Sequence, residues 1–135
     1  MADLTVTAAN VGAGSDTQTN RVQIGEAVTQ GQCVYKKAAD GKYWLADNST
    51  TTLAAAAGIA LTGGATDEYI ILATKGDIDI GATLAIGTIY TVSSTSGAIH
   101  PELDIATTEI VTILGYGKTA AIFTIDITQT EIAHA

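Results

Sequence analysis

Residues 31–46 read GQCVYKKAADGKYWLA and predict a β-hairpin. The flanks of this stretch carry β-branched and aromatic residues, which are typical of strands. Asp40 and Gly41 lie between the flanks and are a strong signal for a tight turn, because glycine adopts positive φ at little steric cost. After a linker rich in threonine and alanine, residues 57–61 (AGIAL) form a third apolar run. We therefore expect a hairpin followed by a third strand.

A degenerate second copy of this pattern occupies residues 87–116. It begins with GTIYTV, turns at Gly97 and closes with ILGY. The separation of Gly31 from Gly41 equals that of Gly87 from Gly97. Self-similarity of this kind predicts two β units of similar structure in tandem.

The chain of 135 residues is expected to form one all-β domain. About ten short strands with glycine-marked turns predict a compact sandwich or barrel. We expect the β domain to span residues 22–128, with pseudo-repeats at residues 25–61 and 81–117, and a C-terminal tail at residues 129–135. A domain of this length buries roughly two thirds of the surface of its unfolded chain, so it folds without disulfides.

Residues 1–21 are expected to form an extended N-terminal arm that is flexible or becomes ordered on a partner. The alternation of apolar and polar side chains in Leu4–Thr7 fits a half-buried strand or an extended arm. Residues 8–20 are mostly small and polar and include Gly12 and Gly14. This composition leaves little apolar surface to fix the segment on the domain.

The chain has six lysine and arginine residues against fourteen acidic residues, which gives a formal net charge of −8. Nucleic-acid binding depends on clustered cationic side chains, so we expect no nucleic-acid partner. The longest apolar run, residues 53–61, is too short to span a bilayer, and residues 1–4 do not begin a signal peptide. The sequence therefore predicts a soluble protein with no membrane partner.

Residues 115–119 (GYGKT) are similar to the end of a phosphate-binding loop. The complete motif requires an earlier glycine where Thr112 stands, and a helix where residues 121–127 predict a strand. We therefore interpret this segment as a hairpin turn.

The remaining residues that carry chemistry do not form a recognisable site. Asp77 and Asp79 share one face of a strand and are expected to lie at a solvated strand edge rather than to hold calcium. His100 and His134 need further ligands for a closed zinc site, and Cys33 is expected to be a buried, inert thiol. His100 is the one plausible catalytic base, and the sequence identifies no partner for it. We predict no catalytic residue, no metal and no cofactor, and we expect that the protein is not an enzyme.

Glycine and apolar residues recur in a fixed order along most of the chain. The segments that show this order are Gly25–Val28, Gly31–Tyr35, Asp40–Asp47, Ala56–Leu61, Tyr69–Gly76, Gly87–Tyr90 and Val111–Gly115. Their succession resembles the capsid cement, or head decoration, proteins of tailed bacteriophages. The resemblance covers roughly residues 22–127.

The resemblance implies a small structural β protein that binds the outer surface of the phage capsid and stabilises contacts between major capsid protein subunits. Its partners would be the major capsid protein and further copies of itself, as a homotrimer or a dimer. It would be made in the host cytoplasm and become part of the virion. The N-terminal arm supplies the candidate capsid contacts, which are Leu4, Val6, Val11 and Arg21.

Two alternative functions remain open. Trp44 concentrates aromatic surface together with Tyr43 and Tyr35, and an exposed ring here would indicate a contact surface. A tail or fibre adhesin domain that binds a host surface is therefore one alternative. A lipoyl- or biotinyl-type carrier domain is the other, since Lys42 adjoins the predicted hairpin turn, but the residues that usually flank such a lysine are missing.

Overall fold

The computed structural model describes residues 3–102 and 105–134. The fold is nearly all-β, with 48% of residues in strands and 3% in helix. Ten strands form a curled antiparallel sheet with the shape of a half-barrel. The predicted all-β class is confirmed, and the expected sandwich or barrel takes this half-barrel form.

The strands follow one another along the chain with short connections. They are β1 (Val11–Ala13), β2 (Gln18–Gln23), β3 (Cys33–Lys36), β4 (Tyr43–Leu45), β5 (Ala56–Ala60), β6 (Tyr69–Ile80), β7 (Ile89–Val92), β8 (Ile99–Pro101), β9 (Ile110–Gly117) and β10 (Ile122–Ala133). A short 3-10 helix, Ala8–Asn10, precedes β1. The strand order is β4-β3-β5-β6-β10-β9-β7-β8, and β1 and β2 both pair with β6 outside this path.

The strand order has the same pattern from either end of the sheet towards its middle. β3 pairs with β4 and β5, and β7 pairs with β8 and β9 in the same arrangement. Gly41, with φ of 69°, lies in the first hairpin turn and Gly97, with φ of 78°, in the second. Both angles favour glycine. We call β2–β5 with the first half of β6 the first unit, and the second half of β6 with β7–β10 the second unit.

Both units contain an irregularity at the corresponding place. In the first unit the register between β3 and β5 shifts after the pair formed by Val34 and Gly58. In the second unit the register between β7 and β9 shifts after the pair formed by Tyr90 and Gly115. A bulge at equivalent positions, each beside a glycine, indicates that the two units share one backbone plan.

Buried side chains of the two units correspond in the same way. The buried residues form a larger and a smaller core cluster. In four pairs of buried residues, the two members are separated by the same number of residues as Gly31 and Gly87. The first member of each pair lies in the smaller cluster and the second in the larger cluster. These pairs are Val22 and Ile78, Ile24 and Ile80, Val28 and Leu84, and Val34 and Tyr90. The larger cluster also takes in Cys33, Tyr35 and Ile59 from β3 and β5. The larger cluster therefore contains residues of both units, whereas the smaller cluster belongs to the first unit.

The segment expected to be a flexible arm is part of the sheet over its described residues. β1 and β2 pair with β6, and Val11 is buried. β6 is twelve residues long, so it has room for both strands, and backbone hydrogen bonds hold this polar segment although its apolar area is small. β10 likewise continues to Ala133, through most of the predicted tail. Residues 1–2 of the predicted arm and residue 135 of the predicted tail lie outside the described residues.

Candidate docking surface

The four candidate contact residues of the N-terminal segment do not lie together on the surface. Leu4 and Val6 are half-buried and pack against the larger core, and Val11 is buried in it. The apolar surface of these three side chains packs within their own domain, so little of it is left to contact a capsid. Arg21 alone is exposed, on β2.

Arg21 belongs to a cationic and aromatic surface at one end of the first unit. Its guanidinium lies 4.6 Å from the centre of the Tyr69 ring, and Tyr69 is 55% exposed. Lys37 lies 4.4 Å from the centre of the Trp44 ring. Cation–π contacts of this kind hold the long side chains over the rings. Lys42 forms an ion pair with Asp67, two residues before Tyr69. We call the five residues Arg21, Lys37, Lys42, Trp44 and Tyr69 the basic-aromatic surface.

Two carboxylates contact Lys42 and Trp44 of this surface. Asp67 accepts a hydrogen bond from the Lys42 ammonium at 2.6 Å, which raises the pKa of Lys42. Asp40 accepts one from the backbone N–H of Lys42 at 2.9 Å and another from the Trp44 indole at 3.2 Å. The backbone bond is the main reason that the pKa of Asp40 lies below its usual value. Lys42 and Trp44 are therefore held together by polar contacts with these two carboxylates.

Trp44 takes its place because of a glycine on the neighbouring segment. A Cβ on Gly25 would collide with the indole ring, so glycine allows the ring to approach the backbone closely there. Tyr35, opposite Trp44 in the β3–β4 pair, is buried, and burial raises the pKa of its hydroxyl. Tyr43 is half-buried. Of the three aromatic residues singled out in the sequence, Tyr35 belongs to the core, and Trp44 is half-buried with part of its ring packed against that core.

The basic-aromatic surface includes a residue that the sequence analysis missed. Tyr69 begins the apolar part of β6 and is nevertheless exposed. Two acidic residues precede Tyr69 directly and mark the solvated end of that strand. Ile86, Tyr116 and Ile132 are further large apolar side chains that the structure leaves exposed.

The two aspartates predicted at a strand edge lie inside the sheet. Asp79 pairs with Ile122 of β10 on one side and Gly12 of β1 on the other. Asp77 accepts hydrogen bonds from Lys118 and Thr124, both at 2.7 Å, and these bonds lower its pKa. β6 is a central strand because the N-terminal segment pairs with it, so the edge prediction is wrong. The predicted alternation holds, since Ile78 and Ile80 face the core.

Replacing Asp77 with asparagine is expected to cost about 1 kcal/mol at pH 7, a modest effect because Lys118 is largely solvent-exposed. The lowered pKa means that the carboxylate stabilises the fold above its unfolded-state pKa, and that this contribution is lost as the pH falls through the folded-state value. The difference between the native protein and Asp77→Asn should therefore shrink below about pH 4. Urea unfolding at neutral and acidic pH measures it, with Asp126→Asn, an exposed carboxylate on β10, as the control. An equal loss at both pH values would contradict a role for the charge.

The other candidate groups are Cys33, His100 and His134. Cys33 is buried as predicted, and burial raises the pKa of its thiol to about 12, so the reactive thiolate is suppressed. His100, the one candidate for a catalytic base, lies buried in β8 opposite Thr91, whereas His134 is exposed at the end of the described chain. In residues 3–102 and 105–134, no three histidine, cysteine, aspartate or glutamate side chains are close enough to hold a metal ion.

The two motifs that resembled functional sites form turns. Lys118 and Thr119 lie in the connection between β9 and β10, where both backbone N–H groups donate to the Ile122 carbonyl, so the hairpin-turn interpretation is confirmed. Lys42, the carrier-type lysine, holds its ion pair with Asp67. Both lysines therefore have electrostatic partners within their own domain.

The chain matches no model of a known protein family and no curated protein. Within the described ranges, none of the helical structure is long and apolar enough to cross a membrane.

Proposed function

We propose that this protein is a structural component of a bacteriophage virion, which binds the outer surface of the capsid and stabilises contacts between major capsid protein subunits. The order of glycine and apolar segments over roughly residues 22–127 supports this function through its resemblance to capsid cement proteins. The proposal includes self-association, as a homotrimer or a dimer, and no catalytic step.

The basic-aromatic surface is the observation that supports docking on a larger assembly. Arg, Tyr and Trp are enriched in protein interfaces, and Arg21, Trp44 and Tyr69 bring these three residue types together. Four of the six cationic residues of the chain, Arg21, Lys36, Lys37 and Lys42, belong to β2 or the β3–β4 hairpin of the first unit, although the net charge is −8. This asymmetry suits a protein partner that presents carboxylates.

The scaffold behind this surface is suited to bearing load. β6 runs through both units, so its backbone hydrogen bonds join them in one continuous sheet. A protein that reinforces a shell must resist deformation at each attachment point, and many attachments made together hold far better than one. Binding many capsid subunits through a rigid domain fits both requirements.

Replacing Arg21 with glutamate is expected to weaken binding to heads about tenfold, or about 1.4 kcal/mol, because it removes the contact with Tyr69 and reverses a charge of the surface. The measurement is co-sedimentation of the variant with heads purified without the protein, followed by imaging of the decorated heads. Lys75→Glu is the matched control, since Lys75 is exposed on β6 outside the surface and its replacement changes the net charge equally. If the native protein leaves such heads undecorated, the proposed function is wrong; if Arg21→Glu binds as the native protein does, docking uses another surface.

A tail or fibre adhesin domain is a second candidate that the exposed Tyr69 ring supports. Aromatic rings with adjacent polar groups also suit contacts with host surface polymers. Binding of the native protein to host cells, with no binding to purified heads, would favour the adhesin over the capsid protein.

A further inference from the structure

The two units close their sheets in different ways. In the first unit the backbone N–H of Gly25 donates to the Tyr43 carbonyl at 2.9 Å, so the strand that leads into the hairpin meets β4 directly. In the second unit, Gly81 corresponds to Gly25 and Ile99 corresponds to Tyr43, because each lies as far along the chain from its counterpart as the members of the core pairs do. The N–H of Gly81 donates to the Asp79 carboxylate at 3.0 Å instead. The second unit therefore lacks the bond that closes the first.

In the second unit, residues 4–7 bond to Ile99 and to Gly81, which do not bond to each other as Tyr43 and Gly25 do. Leu4 donates its backbone N–H to the Ile99 carbonyl at 2.7 Å, and Thr7 donates to the Gly81 carbonyl at 2.7 Å. One short segment thus bonds to both sides of the opening in the second unit. We call the gap between Ile99 and Gly81 that holds residues 3–7 the seam slot.

The seam slot is shaped to receive this segment. A Cβ on Gly31 would lie 2.6 Å from a methyl group of Val6, and a Cβ on Gly81 would lie 2.5 Å from the Thr7 carbonyl oxygen. Both glycines have positive φ, so other residues are disfavoured there for two reasons. Leu4 and Val6 direct their side chains against the larger core. The slot therefore fits an extended segment with apolar side chains at alternate positions.

We propose that the seam slot also accepts residues 3–7 of a second copy, so that two chains exchange this segment and form a dimer. Every contact that holds the segment within one chain is available to the same segment of another chain, which makes exchange a low-cost route to a dimer. The segment joins β1 through the 3-10 helix Ala8–Asn10, which has no buried residue and can extend. Extended, these three residues reach about 10 Å, so the two seam slots must face each other. This inference rests on the self-association that the proposed function includes, and it names the segment that joins the two chains.

The first test uses the full chain with Leu4→Asp and Val6→Asp together. Carboxylates against the core disfavour the docked segment, while the residues of the slot stay unchanged. A fluorescent synthetic peptide of residues 3–8 should then bind this variant at least about tenfold more tightly than it binds the native chain, because the native segment competes at an effective concentration in the millimolar range. A peptide with the same two substitutions should bind neither protein. Absence of peptide binding to a folded variant, as judged by circular dichroism, would overturn the proposal.

The second test begins with the native chain. Native chains with and without ¹⁵N labelling are mixed at high concentration, and native mass spectrometry should detect dimers of mixed mass. A monomer at every concentration would overturn exchange. Oligomers that persist when Leu4 and Val6 are replaced would also overturn it, and would assign self-association to a different surface while leaving the capsid function untouched.

Discussion

Replacing Phe123 with alanine is expected to lower the free energy of unfolding by about 3–5 kcal/mol. Phe123 is fully buried in β10, where it lies opposite Ile78 of β6 and Gly117 of β9. Its ring centre is 5.9 Å from that of Tyr90, so the substitution removes an aromatic contact as well as filled volume. A domain of this size has a total stability of about 5–15 kcal/mol, so a large share would be lost.

Urea unfolding followed by circular dichroism measures this effect as a lower midpoint with an unchanged slope. Ile86→Ala is the control, since Ile86 is 73% exposed and its truncation leaves the core intact. We expect the control to change stability by less than about 0.5 kcal/mol. A similar small loss for Phe123→Ala would mean that the second unit contributes little to the cooperative core.

The local features of the fold could be predicted because they depend on neighbouring residues. The hairpin turns at Gly41 and Gly97 require a residue with positive φ. Glycine meets this requirement locally, whatever the rest of the chain does. Because the two glycine pairs have equal spacing, the first hairpin also predicts the second. Strand order near each hairpin then follows, since consecutive strands usually pair.

The position of the N-terminal segment could not be predicted because it depends on distant parts of the chain. Its composition is polar, and composition alone favours a free arm. It docks because β6 is long enough to pair with β1 and β2, and because the second unit leaves the seam slot open between Gly81 and Ile99. Neither condition is visible in residues 1–21.

The candidate surface was predictable only in part for the same reason. Arg21 was a candidate as a member of the arm, and Trp44 as an aromatic residue of the hairpin. Tyr69 follows a different loop, and the sheet brings it to Arg21 through the pairing of β2 with β6. The three residue types form one surface only after three separate strands are in register.

Replacing Gly115 with alanine is expected to destabilise the fold by about 3 kcal/mol, the upper end of the range for overpacking. A Cβ at this position would collide with the backbone carbonyl of Thr124 on β10 and would lie 2.9 Å from the Phe123 ring. A backbone oxygen in the centre of the sheet cannot move without breaking the pairing of β9 with β10. Gly58, at the equivalent bulge of the first unit, makes the same kind of close approach to the carbonyl of Ala73.

Gly12→Ala is the matched control for this substitution, because a Cβ there would meet no atom within 4 Å and Gly12 is not among the residues with positive φ. Reduced entropy of the unfolded chain should make the control neutral or more stable by about 0.4–1 kcal/mol. Thermal and urea unfolding of the two variants against the native chain measure the contrast. If Gly115→Ala is tolerated as well as Gly12→Ala, β9 and β10 can separate locally at the bulge. The close approach of β9 to β10 would then not require glycine at position 115. The equal spacing of the two hairpins would be the remaining support for a shared backbone plan.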